Sequence, residues 1–150
     1  MNRGLFSVKA RGELVIKAVD RLARTSEETI KSVLAKGAID LQREIKANIK
    51  KQHAIDTGNL WRSVQIKTKE GGLVKEVIEQ ADYGVYVERG TKKHFPPVKA
   101  LELWAKRRGL NVYAVVKAIG KKGTKAKPHF IPALRTVLPE IFRNLERVMR

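Results

Sequence analysis

The chain has 150 residues, the size of one ordinary domain, and its 43% apolar and 31% charged residues exclude a disordered tail and a fibrous repeat. Lysine and arginine number 32 against 15 acids, a net charge of +17 that draws the chain toward anionic partners. The absence of cysteine excludes a disulfide framework, a thiolate zinc site and a cysteine nucleophile.

The N-terminal stretch MNRGLFSVKARGELVIK is broken by Lys9, Arg11 and Glu13, so no signal peptide is expected, and no apolar run approaches the roughly 20 residues that span a bilayer. Leu14, Ala18 and Leu22 predict a short amphipathic helix over 13–24. Thr25 followed by Glu28 has the form of a capping box and starts a second helix, whose apolar positions Ile30, Val33, Leu34, Ala38, Leu41, Ile45 and Ile49 run to about Lys50. Asp56-Thr57-Gly58 is a turn sequence. After it, Leu60, Val64 and Ile66 alternate with polar residues and predict a strand.

Glu70-Gly71-Gly72 closes a hairpin onto LVKEVIEQ, and YGVYVERG is read as extended or partly irregular chain toward Gly90, giving two or three antiparallel strands. Beyond Pro96-Pro97, helical spacing resumes over Val98–Arg108 with Gly109 as its stop, followed by a short helix at about 112–120. The last helix places Pro132 in its first turn and Leu134, Leu138, Ile141, Leu145 and Val148 on one stripe, with a bend or restart expected at Pro139. The fold class predicted is α+β, in one domain. Its parts are an N-terminal extension (1–25), a helix and sheet (26–91), a basic insertion (92–128) and a C-terminal helix (129–150).

Charge is concentrated in that insertion. Residues 91–128 hold 11 basic side chains and one acid, Glu102. With Gly120, Gly123 and Pro128 among them, the stretch KKGTKAKPH at 121–129 reads as a flexible arm able to reach phosphates or an acidic protein face. The candidate contacts are Lys92, Lys93, Arg107, Arg108, Lys121, Lys122, Lys125 and Lys127. Catalytic signals are sparse: the sequence lacks HExxH, GxxxxGK[ST] and GxSxG. His53 and Asp56 make no site by themselves, and His94 and His129 flank the basic segment, where they add proton-dependent charge beside an anion. Asp82, Glu88 and Lys92 resemble a metal-dependent nuclease set only loosely, because the second acid and the lysine are too far apart. The aromatic residues Tyr83, Tyr86, Phe95, Trp104 and Tyr113 are expected to pack in the core rather than to stack on bases. No cofactor or metal is implied.

Three segments taken together, DTGNLWRSV (56–64), ADYGVYVERGT (81–91) and PHFIPAL (128–134), resemble the signatures of a tail-component family of long-tailed double-stranded DNA phages. That family comprises minor tail and tail-completion proteins comparable to the minor tail protein Z of lambda-like phages. The resemblance spans about residues 26–150. It implies that Thr57, Gly58 and Leu60 open the first strand and Ser63 and Val64 continue it. Tyr83, Tyr86, Val87, Glu88, Gly90 and Thr91 would form a second strand and its sharp exit, with aromatic side chains facing the sheet, and Phe130, Pro132, Ala133 and Leu134 would start the last helix.

The same resemblance implies a virion structural protein without catalytic residues, acting as a homo-oligomeric ring at the head–tail junction after assembly in the host cytoplasm. Its partners would be a tail terminator or tail tube on one side and a head connector or stopper on the other, with packaged double-stranded DNA in reach and no membrane involved. The competing reading from charge alone is a nucleic-acid-binding module built on residues 91–128.

Overall fold

In the computed structural model, residues 7–8 and 27–150 are described; the predicted helix over 13–24 and the Thr25 cap lie outside them. The longest element is α1 (Glu27–Lys51), which begins with Glu27 and Glu28 and ends with Lys50 and Lys51, a charge order that complements the helix dipole. Ion pairs one turn apart, Lys31 to Glu27 at 2.6 Å and Lys36 to Asp40 at 2.7 Å, line its solvent side. The opposite side buries Ile30, Ala38, Leu41, Ile45 and Ile49, five of the seven positions of the stripe expected from the sequence, while Val33 and Leu34 are half-buried.

Against that stripe lies α6 (Phe130–Met149). Gly37 sets the closeness of this contact, because a Cβ there would stand 2.6 Å from the Ile141 side chain. Phe130, Ala133 and Val137 from α6 join the α1 stripe, Leu60, Val64 and Val77 in one core. Each fully buried side chain of this size contributes about 1.5–3 kcal/mol. Pro132 sits in the first turn of α6, as predicted. Of the bend or restart expected at Pro139, the restart does not occur: α6 is one continuous helix through Pro139, with Val137 and Ile141 packed on α1 or its core on either side, despite the lost backbone bond.

The sheet is antiparallel. β2 (Val64–Lys69) pairs with β3 (Val74–Glu79) from Val64 opposite Glu79 to Lys69 opposite Val74. The predicted turn connects them through Glu70, Gly71 and Gly72, whose φ values of 48°, 62° and 104° are left-handed. On the other edge of β3, β1 (Ser7–Val8) places Ser7 opposite Ile78 and Val8 opposite Val77. The fold is therefore α+β, with a small sheet packed against a long helix and the C-terminal helix.

Two predicted strand segments are helical. Residues Asn59–Ser63 form a short helix, α2, after Gly58 at φ 80°, so Leu60 and Ser63 precede the strand instead of opening it. The reason is legible in hindsight: Leu60 to Val64 is a step of four, the helical period, and the Ser63 hydroxyl donates back to the Leu60 carbonyl at 2.7 Å. Likewise Gly84–Arg89 forms α3 instead of the second-signature strand, with Gly84 and Glu88, four apart, buried on one face. Tyr83 and Tyr86, at 43% and 59% exposed, and Phe95 and Tyr113, at 74% and 70%, lie outside the core in which they were expected.

The remaining helices are α4 (Val98–Arg107) and α5 (Val112–Lys122). Gly109, at φ 63°, turns the chain after α4. The Asn111 side chain then caps α5, accepting the N–H groups of Tyr113 and Ala114 at 2.9 and 3.2 Å. These two helices pack on each other and scarcely touch α1, the sheet or α6.

Candidate functional site

The start of α6 is held by a buried polar clasp. Glu88, on α3, turns its carboxylate onto the first turn of α6 and accepts backbone N–H groups from His129 at 2.6 Å, Phe130 at 2.9 Å and Ile131 at 3.1 Å. A helix begins with orphan N–H donors and positive dipole charge; here a carboxylate from a distant helix satisfies them in place of a local cap. The His129 ring is fully buried between two acids, with Nε2 2.7 Å from Glu79 and Nδ1 2.9 Å from the Lys127 carbonyl and 3.2 Å from Glu88. Gly84 belongs to the same arrangement, since any side chain there would collide with the Glu79 carboxylate.

Burial by itself would lower the His129 pKa, but the Glu79 hydrogen bond, the Lys127 carbonyl and the charges of Glu79 and Glu88 outweigh it and raise the value above that of an ordinary imidazole. The protonated ring fits the geometry, since both nitrogens face acceptors. A histidine with two carboxylates has the composition of acid–base machinery, yet the side chains are 1% and 5% exposed and both imidazole nitrogens and both Glu88 oxygens are committed to contacts within the chain. The imidazole stands between the acids and keeps them from converging on an ion; among the described residues no group of three or more His, Asp or Glu is arranged to hold a metal. The clasp is built for joining β3, α3 and α6.

A second device pins the basic segment. Thr91 and Thr124 exchange backbone hydrogen bonds at 3.1 and 3.2 Å and bring their hydroxyls to 2.9 Å. Each is preceded by a glycine, Gly90 at φ 70° and Gly123 at φ 73°, in a region closed to other residues. A Cβ on Gly123 would stand 2.0 Å from the Thr91 carbonyl. Residues 92–123 thus leave and re-enter the body through a two-strand neck. Below the neck, Lys127 donates its N–H to the Val87 carbonyl and its ammonium to the His53 carbonyl, both at 2.8 Å. The stretch 121–129 is consequently no free arm: its end is stitched to α3 and to the loop after α1.

The expected contact residues divide accordingly. Lys92, Lys93, Lys121, Lys122 and Lys125 are exposed. Arg107 forms a bidentate pair with Asp56 and Arg108 lies 3.8 Å from the same acid, while the Arg108 guanidinium also covers the half-buried Trp104 ring at 4.7 Å. Arg107 beside Asp56 holds that carboxyl below its usual range. Asp56 therefore ties the hairpin to the body and does not pair with His53. Asp82, Glu88 and Lys92 do not meet: Glu88 is committed to α6, Lys92 is exposed at the neck, and Asp82 lies in an open groove with Asn59, Arg62, Ser63 and Tyr83. Nor does His129 lend charge to an external anion; His94 does remain exposed, its ring on the Lys92 carbonyl at 2.9 Å.

Of the signature residues, Leu60, Phe130 and Ala133 are core, Thr57 is exposed and offers its carbonyl to Arg62 at 2.9 Å, and Pro132 and Leu134 are half-buried. Glu79 and the role of His129 escaped the sequence reading. The available signal was a carboxylate at the end of the β-branched run VKEVIE, where a buried charge needs a partner.

The signatures are thus brought to one place: the second supplies Gly84 and Glu88, and the third supplies His129 and Phe130. A family model described as "Bacteriophage HK97-gp10, putative tail-component" matches residues 14–90. The chain belongs to this family. The matched stretch contains α1, α2, β2, β3 and α3, with DTGNLWRSV and all but the last residue of ADYGVYVERGT; PHFIPAL, α4, α5 and α6 follow it. No curated protein and no solved structure matches the chain. Membership makes the chain a bacteriophage tail component, belonging to a structural family and not to one of enzymes, with the virion as its place. No helix among the described residues is long and apolar enough to cross a membrane.

Proposed function

We propose that this tail component acts at the head–tail junction, as a subunit of a closed ring that completes the tail and joins it to the filled head. One face of the ring meets the tail tube or terminator and the other meets the connector or stopper. The observation that carries this reading is family membership combined with a buried polar centre in which Glu79, Glu88 and His129 join β3, α3 and α6, so the surfaces are read as the working parts. Subunits that repeat a head-to-tail contact close into a ring when the rotation per copy closes. Basic residues outside the ion pairs, such as Lys121 and Lys122, suit a junction through which DNA passes and whose neighbours present negative surfaces.

An amber mutation in the gene tests this. Non-permissive infection should accumulate filled heads and free tails that fail to join, and joining should be restored by adding purified protein to the extract. Joined, infectious particles made without the protein would refute the assignment. The reading as a nucleic-acid-binding module rests on the same lysines. It predicts binding to double-stranded DNA that weakens about a thousandfold between 50 and 200 mM salt if some six phosphates are contacted.

A further inference from the structure

The α4–α5 hairpin carries apolar side chains that remain largely uncovered among the described residues. α5 has no buried residue, and Phe95, Leu103 and Tyr113 are 74%, 69% and 70% exposed. Two of these form a single strip. Tyr113 and Gly120 are seven residues apart, so they share a face of α5 and stand about 10 Å apart along its axis. The Phe95 ring lies on Gly120, where a Cβ would come within 2.2 Å of it. Lys117 projects between the two aromatic residues, and Lys121 follows one turn on. On α4, Leu103 is bracketed on its own face by Lys99 and Lys106. Among the described residues none of these lysines has an acidic partner, and Glu102 is the one acid between 91 and 128.

We propose that the strip formed by Tyr113, Phe95 and the lysines beside them on α5 is the docking surface for a different tail or neck protein, one that presents an apolar patch rimmed by aspartate and glutamate. The inference rests on the reading of the chain as a particle component and names the partner's chemistry. Charge complementarity selects the occupant. A second copy of this chain is a poor match: residues 27–90 and 129–150 hold 15 basic and 12 acidic side chains, and Glu27, Glu28, Asp40, Asp56, Glu76, Glu79 and Glu88 are already in ion pairs. Double-stranded DNA would neutralise the lysines but leave the Tyr113 and Phe95 side chains in water, since phosphate contacts bury little apolar surface. A protein face with an apolar centre and an acidic rim satisfies both, the rings setting the residence time and the lysines the encounter rate and register.

The test replaces Tyr113 by the photo-reactive p-benzoylphenylalanine in particles assembled with the full-length protein, followed by irradiation and mass spectrometry of the adduct. The expected adduct joins Tyr113's position to another virion protein, at a peptide with Asp or Glu within a few residues. Its yield should fall about tenfold when Lys117→Glu and Lys121→Glu are added. Both lysines are exposed, so the pair should leave the circular dichroism spectrum and melting temperature of the purified protein unchanged, which separates lost docking from lost folding. An adduct with DNA, with a second copy of the chain or with a peptide lacking acids overturns the proposal, as does the absence of any adduct in particles that contain the protein. Particles that lack the protein altogether contradict the junction assignment itself, an outcome distinct from all of these.

Discussion

Replacing Glu88 by alanine removes a carboxylate that accepts three backbone N–H groups at the start of α6 and faces the His129 ring. Hydrogen bonds to a charged acceptor are worth about 1.5–3 kcal/mol each, but they share one group and one solvent-exposed alternative, so they do not add fully. Breaking a buried pair by deleting one partner costs about 3–5 kcal/mol. The expected loss is therefore about 4 kcal/mol, a large share of the roughly 5–15 kcal/mol available to a domain. At about 2–4 °C per kcal/mol for a chain of this length, the melting temperature should fall by about 8–16 °C. Urea denaturation of the purified protein, followed by far-ultraviolet circular dichroism, measures the loss at fixed pH. Glu88→Gln keeps the shape and one acceptor oxygen but sets an NH₂ group against donors, so it should recover less than half of the loss. A Glu88→Ala protein within about 1 kcal/mol of the parent would show that α6 does not depend on this carboxylate.

The His129 clasp makes stability depend on pH. Because the folded pKa is raised, its contribution is complete below the ordinary imidazole value of 6.5 and disappears as pH rises through the folded value; the urea midpoint should fall as pH is raised above 6.5, and His129→Gln should flatten that slope. Gly90→Ala forces a side chain into a glycine-only conformation 2.4 Å from the Thr124 carbonyl, and should cost about 2 kcal/mol in a urea titration and open the neck; a cost near zero would mean that the neck is not formed. Asp56→Asn releases Arg107 and Arg108, so amide exchange across 98–122 should quicken while the global urea midpoint barely moves; unchanged exchange would show that the hairpin is held by something else.

Elements whose evidence is local were legible in the sequence. The α1 stripe, the Glu70-Gly71-Gly72 turn and the Asn111–Lys122 helix all arise from periodicity or turn chemistry within a few residues. The two misread segments share a cause. Leu60 and Gly84 lie in short stretches rich in β-branched or aromatic residues, where propensity favours a strand, but burial of Leu60 in the core and of Glu88 against α6 favours a helical turn. Tertiary context decided both. The clasp was illegible for the same reason: Glu79, Glu88 and His129 are separated by up to 50 residues, and nothing in their immediate neighbours says that they meet. The hairpin's charge was evident from composition, whereas its neck depends on two glycine–threonine pairs 33 residues apart that only the fold brings together.

The central claim is that this protein works as a fixed part of the particle and that its residues make joints. Quantitative mass spectrometry of particles purified through two density gradients tests it most directly. The account predicts the protein at a constant, small copy number per particle, resistant to a high-salt wash that strips loosely bound nucleic-acid-binding proteins. Its absence from particles that join and infect normally, or its complete removal by the wash without loss of infectivity, would contradict the account.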